Sequence, residues 1–555
     1  MQLRNFTFNK LIIIVIAISI FFLLSVNIIP ILLTQTNQVI TADSMKPELD
    51  QATNNCLEEN RKNISNDLVF LENKDNNTNI LFNKYEGYSI IIPKNWKLDN
   101  ANYEHAVILY GQDFKLSIFK QKIDRSYDDT ATYISYSHLK IRENHADISH
   151  LGDEIRVLGN FQVEAIFWNR KKITTIENDL NFYYSYNIIL DENTVFTFIL
   201  KSNQNSIGYY KNLSDRIIAD MTLFYNHKGT IINIPEKQIQ DITIKGDRLT
   251  FQIPKDKLVF GIFHKPNDNF WNELRSLEHE VEFRFEFIMD YYHLAIPYDM
   301  IKKQISQIYS DGRIMLVTLQ PYLSMDMTHR VYDGSVIIPK VANGEYDQQI
   351  LEWAIGLKDL KEPVFLRFAN EMNGDWTEWC SWNYALDPDI FIMAWSRVHS
   401  IFQQIQASNV QLIWNPHDRD YPTYKWNSQH LYYPGDSKVD WIGITAYNNG
   451  VTRPNEEWRE FDQAYFELYK EYMLRYSSKP FIITEFACNE IGGDKARWIQ
   501  DGLNSLSVNY PNIRIAVWWN GIDDTWIYQI DSSEASKEAF RESISNPYYF
   551  RNPVS

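Results

Sequence analysis

Cysteine is nearly missing from this chain of 555 residues, which holds only Cys56, Cys380 and Cys488. Three thiols allow at most one internal bridge, so a disulfide scaffold is excluded and stability must come from packed cores. Glycine and proline are also scarce, at 20 and 19 residues, which excludes collagen-like and low-complexity chains. Positive charge is in deficit: 54 Lys and Arg face 71 Asp and Glu, for a net charge of −17, and no basic block occurs. Phosphate backbones are held by clustered Lys and Arg, so nucleic acid is not expected as a partner. What the chain does have is apolar surface, 45% of residues, with aromatics at 15%. That is a globular balance, and the length leaves room for about two to four domains.

One apolar run stands apart. Residues 11–33 carry no charge, Arg4 and Lys10 precede them, and the next charge is Asp43. At 1.5 Å per helical residue the run would cross the ~30 Å hydrocarbon layer. The positive-inside rule then predicts a single-pass membrane anchor, with residues 1–10 cytoplasmic and the rest of the chain extracytoplasmic. A cleaved secretion signal is the alternative. Residues 34–80 are polar, show no sustained apolar period, and read as a tether.

Short runs rich in β-branched and aromatic residues fill 81–230, with helical stretches near 129–143 and 206–223. This pattern predicts an α+β domain built on an antiparallel sheet. Its opening, Tyr85-Glu-Gly-Tyr88 through Pro93-Lys-Asn-Trp96, resembles the first strand and Pro-x-x-Trp turn of PsbP-like domains, and 217–224 is similar to their closing segment. The resemblance implies a binding or assembly module, and the residues themselves read as a small binding or spacer unit. Residues 231–257 read as a linker. Beyond it the composition changes, since 14 of the 16 tryptophans lie from Trp271 onward.

Eight apolar runs then recur between helical stretches: 259–263, 285–289, 314–318, 364–368, 410–414, 441–445, 481–484 and 515–518. Intervening segments such as 345–359, 387–407, 460–476 and 493–507 show 3.6-residue periodicity. Eight strand–helix alternations predict a (β/α)8 barrel over 258–555. An open doubly wound sheet would also alternate, but no Gly-x-Gly-x-x-Gly turn or phosphate loop follows any run.

Barrel chemistry sits on the loops after the strands. Asn370, Glu371 and Trp376 follow the fourth run, Glu485 the seventh, Tyr447 the sixth and Trp519 the eighth; Arg367 lies four residues before Glu371. Two carboxylates ringed by aromatics and amides suit glycosidic bond cleavage, one protonating the leaving oxygen while the other attacks the anomeric carbon. A strand-end carboxylate can equally be a loop group paired with an Arg, but two at one mouth favour the catalytic reading. Gln320 follows the third run, and His264 and His417 follow the first and fifth. These are candidate substrate contacts, or else mouth-lining hydrogen-bond groups. Trp376, Trp379 and Trp382 fit a sugar cleft and a packed core equally well. Asp268, Asp290 and Asp418 form no metal-ligand spacing, so neither metal nor cofactor is expected. Cys380 and Cys488 follow strands four and seven, and their pairing depends on a Cα separation that sequence does not give.

The segments around Arg367–Trp379, Tyr433–Asn448 and Lys479–Trp498 resemble the acid/base, sixth-strand and nucleophile segments of glycoside hydrolase family 26. The resemblance implies a retaining, endo-acting enzyme for a β-linked polysaccharide, β-mannan or β-1,3/1,4-glucan. It would make Glu371 the general acid/base and Glu485 the nucleophile, with the two carboxyls ~5–5.5 Å apart. Tyr447 would lie beside the nucleophile, Trp519 would floor the reacting sugar's subsite, and Arg367 would sit beneath the carboxylates. Two positions depart from the family pattern. Many members place His directly before the acid/base, where this chain has Asn370. Mannan-cleaving members often have a His near the third strand's end, where this chain has Gln320. A membrane-anchored surface protein that binds glycan without cutting it is the rival reading.

Overall fold

In a computed structural model, the structure describes residues 62–551 apart from 124–128, 144–146, 172–173, 227–238 and 323–335. The apolar run 11–33 and the first part of the expected tether lie outside the described residues. Among the described residues no helix is long and apolar enough to cross a membrane.

Residues 62–80, read from the sequence as part of a tether, belong to the fold. Residues 62–68 are helical, and Val69–Asn73 and Thr78–Asn83 are strands. They join Tyr88–Pro93 and Thr222–Leu223 in a four-stranded sheet. Val69 and Leu81 are buried against Tyr88–Pro93, whose buried and half-buried residues alternate, while Glu72 and Asn73 reach the exposed end of the first strand. A seven-stranded antiparallel sheet follows, ordered Lys97–Asp99, Val107–Tyr110, Phe114–Lys122, Thr194–Ser202, Phe182–Asp191, Phe161–Arg170 and Ile148–Leu158. Helices Thr130–Ser137 and Ile207–Ala219 fall where the sequence placed them. The α+β reading of this region holds.

Part of the expected linker is also ordered. Ile242–Lys245 and Thr250–Ile253 pair as a hairpin. Phe251 and Ile253 are fully buried, and Phe251 packs edge-on against Phe287 and Phe365, ring centroids 5.3 and 5.4 Å away. Those two residues open barrel strands, so the hairpin plugs the N-terminal end of the barrel.

The barrel strands are β1 (Leu258–His264), β2 (Phe287–His293), β3 (Ile314–Gln320), β4 (Val364–Phe368), β5 (Val410–Trp414), β6 (Trp441–Asn448), β7 (Phe481–Cys488) and β8 (Ile513–Asn520). Each corresponds to one of the eight apolar runs; the second run begins two residues earlier than its strand. All neighbours pair in parallel, and β1 closes the ring by pairing with both β2 and β8. Near-continuous apolar runs are what a parallel sheet covered on both faces requires. The outer ring includes α1 (Phe270–Glu280), α2 (Tyr298–Ser310), α3 (Ile337–Ala342), α4 (Asp347–Asp359), α5 (Asp389–Gln404), α6 (Phe461–Tyr476), α7 (Lys495–Asn509) and α8 (Glu534–Ile544). Between β5 and β6 short 3₁₀ turns replace the helix.

The sheet domain is not held off at a distance. It packs onto the loops after β4 and β5, and one apolar cluster includes Tyr133, Ile134 and Trp168 from the sheet domain with Leu386 and Trp426 from the barrel. Tyr136 stacks on Trp382, centroids 4.7 Å apart and planes 1° from parallel. The indole N–H groups of Trp382 and Trp426 donate to Tyr136 O and Ser137 Oγ at 2.9 and 3.0 Å. Buried Lys201 of the sheet domain lies 2.7 Å from Asp387 of the barrel and 2.8 Å from Asp179. Burial alone would raise the Asp387 pKa, but the Lys201 and Arg170 cations outweigh it and hold it at about 2. Removing the Lys201 cation leaves two carboxylates buried without it. Lys201→Met is therefore expected to destabilise the protein by about 3–5 kcal/mol, read as a lowered urea midpoint. A midpoint unchanged from the wild type would contradict this account of the interface.

Candidate active site

The barrel turns the side chains at the ends of β2, β3, β4, β6 and β7 toward one mouth. Arg367, fourth residue of β4, is fully buried inside it. Its guanidinium donates to Thr318 Oγ1 on β3 from Nε (3.0 Å) and Nη2 (2.8 Å), and to Asn415 Oδ1 after β5 from Nη1 (2.8 Å). Nη2 also donates to Oε1 of Glu485. The other Glu485 oxygen accepts from the Tyr447 hydroxyl at 2.5 Å. Both oxygens of a 5% exposed carboxylate are therefore engaged as acceptors.

Glu485 reaches this position through a register break. Along a regular strand neighbouring side chains alternate faces, yet Thr484 and Glu485 both meet groups inside the barrel. Thr484 Oγ1 donates to Asn415 Oδ1 at 2.8 Å. The pairing of β6 with β7 jumps from Ile444↔Ile483 to Thr445↔Glu485. Such a bulge re-aims a side chain. Gly443 on β6 makes room beneath, since a Cβ there would lie 2.6 Å from that of Asn415.

Glu371 stands on the loop after β4 in the left-handed region, φ 57°, two residues after Ala369 at φ 48°. Two non-glycine residues held there cost about 1–3 kcal/mol each and are sustained by surrounding contacts. Glu371 N–H donates to Asn415 O at 2.8 Å, and Gly374 N–H closes the turn onto Glu371 O at 2.9 Å. Trp376 lies against Gly374, whose missing Cβ would be 2.5 Å from its ring. The Trp376 indole N–H donates to Glu371 Oε2 at 3.2 Å. Asn373 fastens this loop to the next one, donating to His417 O (3.0 Å) and Asp420 Oδ1 (2.9 Å) and accepting from His417 N–H (2.8 Å).

Burial raises the Glu371 pKa, and the Glu485 charge adds to the rise, while the nearby His417 opposes it. His417 packs edge-on against Trp376 at 5.1 Å and pairs with Asp418 through Nδ1 at 3.0 Å. Burial works against the His417 charge, but Asp418 and Glu371 outweigh it and raise its pKa to about 9. Arg459 closes the chain, 2.7 Å from Asp418. Burial and the Glu485 charge push the Tyr447 and Tyr291 pKa values well above the ordinary phenol range, so both remain O–H donors.

The remaining predicted residues separate. Gln320 donates to Asn370 Oδ1 at 3.3 Å, behind the Glu371 turn. Trp519 stacks on Phe263 at 4.9 Å and donates to the Tyr291 hydroxyl at 3.1 Å, which ties it to the Arg367–Glu485 group. His264 lies between Glu273 of α1 and Asn520 of β8, both 3.2 Å away. Of the three neighbouring tryptophans only Trp376, 42% exposed, is open to solvent. Trp379 is buried with its N–H on Asn370 O at 2.6 Å, and Trp382 is taken by the sheet domain. Cys380 and Cys488 are buried free thiols rather than a bridge. Sequence reasoning missed Tyr291 and Asn415, and Asn373 was read only as part of the segment after the fourth run. Tyr291 and Asn415 occupy strand ends, the same signal that singled out the others.

Over 271 residues the chain is 29% identical to Endoglucanase H of Acetivibrio thermocellus, an alignment covering 48% of this chain. The chain spans only 28% of that relative's length. Among solved structures, GH26C from a Muricauda species shares 15% identity at a TM-score of 0.41, covering 53% of this chain and 87% of that one. A GH26 β-mannanase from Bacteroides ovatus shares 16% at a TM-score of 0.40, covering 53% and 90%. Residues 320–470, which include β4 to β6 and the Glu371 turn, match the family model of Glycosyl hydrolase family 26. The family similarity thus lies within the C-terminal barrel, over residues 320–470.

Proposed function

We propose that the barrel is a retaining endo-glycosidase for a β-linked polysaccharide, with Glu485 as nucleophile and Glu371 as general acid/base. The observation that carries this reading is the contrast between the two carboxyl environments. Glu485 has both oxygens engaged by donors that fix its direction, whereas burial and the Glu485 charge push Glu371 toward its protonated form. One carboxylate then attacks C1 as the other gives its proton to the departing oxygen. Water, deprotonated by Glu371, afterwards cleaves the glycosyl-enzyme ester with net retention. Trp376 and Trp519 supply aromatic faces for sugar rings.

A β-1,3/1,4-glucan is the first substrate to test, with β-mannan second. The similarity to an endoglucanase and the absence of His at 320 and 370 support that order. The test is reducing-end release from lichenan, mannan, laminarin and xylan by a chain containing both ordered domains, with NMR of the first-formed anomer. An inverted product would overturn the mechanism. Silence on all four polysaccharides would favour a non-catalytic glycan binder.

The pH dependence should report His417. Its cation lowers the Glu371 pKa, so His417→Gln should let that pKa rise and move the alkaline limb of the pH–rate profile upward. An unmoved limb would place a different group in the acid role. Stability carries the matching sign. A histidine raised to about 9 contributes stability that is present below pH ~6.5 and lost as pH rises through ~9, and the variant should lack that decline.

For the ends of the chain, we propose that residues 11–33 anchor it in a membrane with the barrel outside, which protease access to intact cells would test. The PsbP-like reading of the sheet domain is likewise a proposal. It is supported by the Tyr88–Pro93 strand, the buried Trp96 turn and the closing helix Ile207–Ala219.

A further inference from the structure

Away from the barrel mouth, two histidines and a glutamate converge where the domains meet. His105 comes from the sheet domain, just before Val107–Tyr110. His430 comes from the 3₁₀ turn Gln429–Tyr432 after β5, and Glu471 comes from α6. One donor atom from each lies within 4.8 Å of the other two. Glu471 Oε1 is 2.8 Å from His430 Nε2 and 3.7 Å from His105 Nε2. Bonds of ~2.1 Å to a tetrahedral zinc ion put neighbouring donors ~3.4 Å apart, between those two values.

A second observation points to a cation. His430 is 3% exposed, and its Nε2 faces Glu471 Oε1 at 2.8 Å without the alignment of a directed hydrogen bond. A buried imidazole nitrogen and a carboxylate oxygen facing one another in this way are set as two ligands of one ion are. A metal ion would accept both donors at once. The groups behind the donors are arranged as metal sites arrange them. His430 Nδ1 is 2.7 Å from the Tyr476 hydroxyl, which orients the ring, and Arg475 Nε holds Glu471 Oε1 at 3.1 Å. Arg475 is itself balanced by Glu104 of the sheet domain at 3.2 Å. Burial lowers the pKa of both histidines, favouring the neutral, ligating form. The cluster borders a cavity of about 660 Å³, also lined by Asp420, Gln463 and Glu467, which leaves room for a water as fourth ligand.

We propose that His105, His430 and Glu471 form a divalent transition-metal site, suited to zinc, that clamps the sheet domain to the barrel. Two imidazoles and one carboxylate are a donor set that zinc accepts. Because His105 belongs to one domain and the other two ligands to the other, bound metal stabilises only the docked arrangement.

The test uses the chain with both domains, stripped with a chelator and dialysed. Titration with Co2+ should give the visible absorption of a low-coordinate ion, saturating at one ion per chain. Added Zn2+ should quench that absorption and raise Tm with concentration. His105 is partly exposed on a turn, so His105→Gln should keep the circular dichroism of the wild type yet lose the Co2+ bands and the Zn2+-dependent Tm rise. His430→Gln should lose them as well, and His399→Gln, a histidine outside the cluster, should retain them. No Co2+ or Zn2+ binding by the wild type would overturn the proposal. So would equal binding by wild type and His105→Gln.

Discussion

Glu485→Gln is expected to cut kcat/KM by about 10⁴-fold or more while leaving the fold intact. An isosteric amide keeps the volume but removes the charge on which the proposed nucleophilic role depends, and loss of a covalent nucleophile costs on this scale. The contrast with Glu371→Ala makes the result specific. Without its acid, the enzyme should fail on polysaccharide yet still release an activated aryl leaving group that departs unprotonated. The second step should then slow and leave a burst. Similar losses in both variants on both substrate types would remove the distinct roles assigned to the two carboxyls.

Arg367 should produce a change in stability as large as that expected for Lys201. The fully buried guanidinium spans Thr318, Asn415 and Glu485 at once, and it lies 5.6 Å from the Tyr291 ring centroid. Arg367→Met would leave the Glu485 carboxylate buried beside the Tyr447 donor without its cation. Removing one partner of such a pair costs about 3–5 kcal/mol. Arg367→Lys should recover little, because a single ammonium cannot serve three elements in a planar fork. Chemical denaturation of the variants checks the magnitude. A cost below ~1 kcal/mol, the range of exposed pairs, would mean that water reaches the group.

Much of the barrel could be read directly, for a local reason. A strand of a parallel sheet covered on both faces must be apolar throughout, so runs such as 314–318 and 481–484 declare themselves within five residues or fewer. The residue that follows such a run then lies at the mouth by topology alone. Glu371, Glu485, Tyr447 and Trp519 were found in this way. The same logic failed at 69–83, where strands of a half-exposed sheet carry as many polar residues as a tether does. It also failed for Trp379 and Trp382, whose positions in the chain suit a cleft as well as a core. Only packing separates them: one N–H is held by Asn370 O, and the other ring is covered by Tyr136.

The amino-acid order by itself determined the eight-fold alternation, the α+β character of 81–230 and the two acidic positions at the mouth. Each of these rests on periodicity within one element. Tertiary structure alone decided the bulge that turns Glu485 inward, the Arg367–Thr318–Asn415 bracket beneath it and the docking of the sheet domain on the β4 and β5 loops. It also decided the meeting of His105 with His430 and Glu471. These depend on register and contact between segments up to hundreds of residues apart, and no local pattern encodes where two distant side chains meet.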